Sequence, residues 1–98
     1  MFLLEFEVRP RPNNPEVKEC GGAKVCCWIN VDTQEEAESI ARKTIIDGKW
    51  AIIKMEEVSL VTKDTQSVEG MQYFEQAEID GEVFVFHTWP IKAPDDIF

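Results

Sequence analysis

Ninety-eight residues, 44% of them apolar and 10% aromatic, suffice to close one small core and are too few for two domains. Ten basic against nineteen acidic residues leave a net charge of −9, which argues against a nucleic-acid backbone or an anionic membrane surface as partner. No apolar run approaches the roughly 20 residues of a membrane helix, and Glu5 and Glu7 interrupt Met1-Phe2-Leu3-Leu4 before a secretory apolar region forms.

Residues 1–9 alternate. Phe2, Leu4, Phe6 and Val8 share one face and Glu5, Glu7 and Arg9 the other, which predicts a half-buried strand with one wet face, near a sheet edge. A Pro- and Gly-rich stretch over 10–23, with Pro10, Pro12, Pro15 and Gly21-Gly22, reads as a loop. Lys24 to Val31 is a second strand, with Val25, Cys27, Ile29 and Val31 on one parity and Cys26, Trp28 and Asn30 on the other.

A helix is expected over about 33–47. Asp32-Thr33-Gln34-Glu35-Glu36 offers a capping residue followed three positions on by Glu, the capping-box spacing, and Ala37, Ile40, Ala41, Thr44 and Ile45 recur at helical spacing. Gly48 stands where a helix C-cap belongs, and Ile46 falls off the apolar stripe. Trp50 to Lys63 is a long third strand in which Ala51, Ile53 and Met55 set one parity and Val58 and Leu60 the other, so a bulge is expected at Glu56-Glu57. Gly70 to Ile79 reads as a short second helix, Asp80-Gly81 as a turn, and Glu82 to Trp89 as a fourth strand, followed by an acidic tail over 90–98.

The order is β-β-α-β-α-β in one α+β domain spanning 1–98. A two-layer sandwich is expected, with both helices on one face of a four-stranded sheet. On that plan the second face of the sheet is bare, yet strands two, three and four carry apolar residues on both parities. A bare apolar face needs a cover, and a second copy of the chain is the expected one.

Trp28, Trp50, His87 and Trp89 are the candidate ligand or interface residues of that face. His87 is the single histidine; general acid–base work would need a carboxylate such as Glu75 or Glu78 beside it, and the plainer reading is a structural histidine. Cys20, Cys26 and Cys27 lack the spacing of a zinc site, and adjacent strand residues point to opposite faces, so no metal is expected. An odd number of cysteines, two of them adjacent, gives no disulfide framework and fits a reducing cytoplasm. Of the three, only Cys20, in the loop, is expected to be exposed. Gly21-Gly22 precedes a strand rather than a helix and offers an anion no helix N-terminus. No catalytic residue or cofactor emerges.

The segment Glu35–Val58, together with Tyr73-Phe74-Glu75-Gln76-Ala77 leading into Asp80-Gly81 and an aromatic last strand, resembles ferredoxin-like α+β proteins, small uncharacterised bacterial ones among them. That resemblance covers about two thirds of the chain and implies a fold, not an activity. The functional expectation is a non-enzymatic homodimeric interaction or regulatory module, one form of which is an immunity or inhibitor protein steered by its charge to a basic partner. The alternative is a small enzyme or ligand-binding protein with a pocket on the open sheet face.

Overall fold

The computed structural model describes residues 1–91. Its elements are β1 (Phe2–Pro10), β2 (Cys20–Ile29), α1 (Gln34–Asp47), β3 (Trp50–Leu60), a 3-10 turn (Lys63–Thr65), α2 (Val68–Asp80) and β4 (Glu82–Pro90). The strands form one antiparallel sheet in the order β3-β1-β2-β4. β1 is therefore an interior strand and not one near an edge. The connection between β1 and β2 is also shorter than the composition suggested, because β1 runs through Pro10 and β2 begins at Cys20. Of the acidic tail expected over 90–98, Pro90 is the last residue of β4, and residues 92–98 lie outside the described residues.

Both helices start at side-chain caps. Thr33 Oγ1 accepts from the Glu36 N–H at 3.2 Å, and Ser67 Oγ accepts from the Gly70 N–H at 3.0 Å, each satisfying a donor that has no partner inside its helix. At the end of α1 the left-handed residue is Lys49 (φ 69°) and not Gly48 (φ −80°); at the end of α2 it is Gly81 (φ 92°).

Cross-strand pairing settles which side chains share a face, and it separates the helices. Leu4, Cys27 and Phe84 are mutually in register, as are Phe6, Val25 and Phe86. These residues line one face, which packs on Ala37, Ala41 and Ile45 of α1. Leu3, Trp28 and Val83 are in register on the opposite face, with Cys26 and Val85 beside them, and that face packs on Phe74 and Ala77 of α2. The sheet is thus the middle of three layers. Two helices side by side on one face, as the ferredoxin-like resemblance implies, are not what the chain adopts. The apolar residues of both parities have a physical reason: each face carries its own helix and its own core.

β3 has 11 residues against 9 in β1, and two bulges absorb the difference, one at Glu56 and one at Ile53. The bulge at Glu56 was expected from the parity switch. That at Ile53 was not, and it corrects the grouping of Ala51, Ile53 and Met55: Trp50 and Ile52 join Met55, Val58 and Leu60 on the α1 face, while Ile53 is exposed.

Residues 11–19 are fastened to the α1–β3 corner. The Arg11 N–H and the Asn14 side-chain amide both donate to the Lys49 carbonyl, each at 3.0 Å, and Asn14 Oδ1 accepts from the Glu16 N–H at 2.9 Å. Asn14, only 5% exposed, is the buried polar residue of the molecule among those described. No helix of the described residues is long and apolar enough to cross a membrane.

Candidate functional site

The four residues singled out from the sequence do not share a site. Trp50 lies on the α1 face at the outer strand β3 and is 6% exposed; its ring reaches over the inner strands to within 5.3 Å of the Phe86 ring on β4. Trp28 lies on the opposite face under α2, 5.1 Å from the Tyr73 ring, and its indole N–H donates to Gln66 Oε1 at 3.0 Å. Both are core. His87 and Trp89 share the face of Trp28 but lie beyond the reach of α2, and both are exposed. The backbone partner of His87 in β2 is Lys24, and Glu78, one of the carboxylates proposed for it, pairs instead with Lys63 at 3.6 Å.

The uncovered half of the α2 face is polar where an apolar surface was expected. Glu5 lies opposite Glu57, and Glu7 opposite Lys54. Lys24 Nζ bridges to Glu5 at 3.1 Å, and the Cys26 thiol points at the same carboxylate at 3.9 Å. Burial pushes the Glu5 carboxyl up, but hydrogen bonds with Lys24 and Glu57 and the Lys24 charge outweigh it, so the group ends below its ordinary value of 4.5. Glu57, sharing a hydrogen bond with Glu5 and repelled by its charge, is raised. This is charge neutralisation within a solvated sheet face.

Two of the three thiols are held in the protonated form by their surroundings. Burial raises Cys27 far above its ordinary value and raises Cys26 as well, with the Glu5 charge adding to the latter, so thiolate is scarce in both. Cys20 is buried, not exposed as its Gly-flanked position suggested, because β2 already includes it; its thiol donates to the Gly22 carbonyl at 3.1 Å. Among the described residues, no three His, Cys, Asp or Glu side chains are grouped to hold a metal.

Among the described residues, a cleft of about 740 Å³ lies at the far end of that face between the 11–19 connection and the end of β4, with a smaller one of about 300 Å³ beside it at Glu16, Glu19 and Thr88. Arg9, Val17, Cys20, Trp89 and Ile91 contribute to the walls of the larger cleft. Gly22 shapes it: a Cβ there would lie 2.5 Å from Cζ2 of Trp89, so the indole lies across a bare backbone. No buried polar side chain among the described residues lacks a partner.

The two sheet edges differ more than the two faces do. β3 is interrupted twice by bulges and carries the exposed Lys54, Glu56 and Glu57, the usual means of blunting an edge. Along β4 the register with β2 is unbroken from Glu82 to Trp89, and the strand has Glu82 as its one acidic or basic residue apart from His87. The Asn30 N–H donates to the Gly81 carbonyl at 2.9 Å and the Ile91 N–H to the Glu19 carbonyl at 3.4 Å. In an antiparallel ladder the bonding direction alternates. Val83, Val85, His87 and Trp89 therefore point their backbone groups at β2, and Glu82, Phe84, Phe86 and Thr88 point theirs away from the sheet. Phe86 on one face and Trp89 on the other flank this edge, 38% and 40% exposed.

No protein-family model, curated protein or solved structure matches the chain.

Proposed function

We propose that the chain is a non-enzymatic interaction module that works as a homodimer. The observation that carries this reading is the asymmetry of the sheet edges: β3 is guarded, while β4 presents a regular, nearly uncharged edge flanked by exposed aromatic rings. Among the described residues no strand pairs with its outer edge, and such an edge is a template for another strand. Sedimentation across the micromolar range tests it, with a concentration-dependent dimer expected; a monomer throughout overturns it. Within this reading the protein is cytoplasmic, and its charge of −9 suits it to a basic protein partner, as an immunity or inhibitor protein would need.

The cleft beside Trp89 supports a second reading, a small-ligand site of mixed apolar and charged lining. Screening small aromatic anions against the protein by NMR checks it. Shifts centred on the Trp89 indole and the Arg9 side chain support a ligand site there, and no saturable shift at either group removes it.

A further inference from the structure

We infer that β4 is the dimer seam, two copies pairing antiparallel about a two-fold axis at Val85 to join their four-stranded sheets into one continuous sheet of eight; this rests on the homodimer reading above. The outward-pointing residues of β4 are Glu82, Phe84, Phe86 and Thr88, and a symmetric partner must present the same set. With the axis at Val85, Phe84 meets Phe86 of the second copy and Glu82 meets its Thr88. The N–H and C=O groups of these four residues then all find outward partners, and only Pro90, at the end of the strand, is left against Asp80.

Neighbouring registers do worse. An axis at Phe86 sets Glu82 against Pro90, which has no N–H to give, and sets Phe84 against Thr88. An axis at Phe84 sets Thr88 against Asp80, the last residue of α2. The Val85 axis also brings Phe84 and Phe86 of both copies together on the α1 face, extending the core where Phe86 already meets Trp50. On the other face Trp89 comes opposite Gly81 of the second copy, where a Cβ would meet nothing within 4 Å.

Charge favours a second copy at this edge over any other part of the molecule. Two chains of −9 repel, and the contact must fall where charge is lowest. The two Glu82 side chains end up six residues apart along the paired strands, roughly 20 Å, which exceeds a Debye length of about 8 Å at physiological salt.

Three measurements test the seam. Thr88→Pro removes an N–H that points away from β2, so the monomer keeps its own ladder while the seam loses a bond and gains a ring. The variant is expected to sediment as a monomer with unchanged circular dichroism; a folded Thr88→Pro dimer overturns the seam and leaves the homodimer standing. Amide exchange of the unaltered protein serves even if that variant does not fold. The Phe84, Phe86 and Thr88 amides should slow by about tenfold or more between dilute and concentrated protein, while Val83 and Val85 stay protected throughout. Fast exchange at Phe84 and Phe86 in a sedimenting dimer overturns the seam, whereas a monomer at every concentration overturns the homodimer reading itself. For the register, Val85→Cys with Cys26→Ala should oxidise to a covalent dimer, since non-hydrogen-bonded antiparallel pairs hold Cα atoms about 4.5 Å apart. A dimer that crosslinks through Phe86→Cys but not through Val85→Cys overturns the axis at Val85.

Discussion

At the scale of single residues, Lys24 and Asn14 hold more than their positions in the sequence suggest. Lys24 is what keeps two carboxylates, Glu5 and Glu57, tolerable opposite each other on adjacent strands. A carboxylate held below its ordinary value contributes stability above pH 4.5 and loses it as pH falls through the folded value. A raised one, as in Glu57, contributes at low pH and loses its contribution as pH rises through its folded value. Lys24→Met removes the cation, so the Glu5 carboxyl should titrate at higher pH, and the loss of stability should be larger at pH 7 than at pH 3. Carboxyl NMR titration and urea midpoints at the two pH values check this. Asn14→Ala leaves the Glu16 N–H without its acceptor and takes one of two donors from the Lys49 carbonyl. It should cost about 1–3 kcal/mol in urea unfolding. Nothing in the run Pro12-Asn13-Asn14-Pro15 told Asn14 from Asn13; which of them turns inward is decided by the long-range contact with Lys49.

At the scale of elements, local rules were legible and long-range ones were not. The start of α1 was legible as a capping stretch from Asp32, in which Thr33 proves to be the cap; the end of α2 follows from the Asp80-Gly81 turn, and the apolar parity of β1 from alternation. The interior position of β1 was hidden because α2 covers only part of its second face, leaving charged, half-buried Glu5 and Glu7 there where an interior strand would be expected to carry apolar residues. One bulge in β3 announced itself by a parity switch. The other, at Ile53, did not, since Trp50-Ala51-Ile52-Ile53 is apolar at every position and fits either face. The bulges act as a matched pair. Deleting Glu56 alone should throw one half of β3 onto the wrong face and lower the urea midpoint sharply. Deleting Ile53 as well leaves 9 residues against the 9 of β1 and should recover much of that loss, a non-additivity that a double-mutant comparison measures directly.

At the scale of the whole molecule, the candidate site was legible only in part. Trp89, picked out by its aromatic character, lies in the wall of the cleft and His87 is exposed outside it, while Trp28 and Trp50 proved to belong to two cores on opposite sides of the sheet. The helix on the second face could not be read from the strands' composition, because apolar residues of both parities suit an added helix as well as an added subunit. The net charge remains a property of the whole chain. If a basic partner binds, its association rate should fall steeply between about 0.01 and 0.1 M salt, as the Debye length shrinks from about 30 to 10 Å, with dissociation changing far less; stopped-flow mixing measures both.

The order in which the chain leaves the ribosome gives the two cores different histories. Every buried residue of the α1-side core lies between Leu4 and Trp50, so most of that half can close as soon as β3 has been made, with Phe84 and Phe86 of β4 joining it last. Until α2 and β4 follow, the outer edge of β2 is open and Trp28 has neither Phe74 nor Ala77 over it. Nascent chains crowded on one message would meet in that interval with a strand-sized vacancy on each, and a neighbour's finished β4 fits it as well as the chain's own. Slow synthesis past Leu60 should therefore raise the yield of exchanged-strand dimers, which would persist after dilution while edge-paired dimers fall apart.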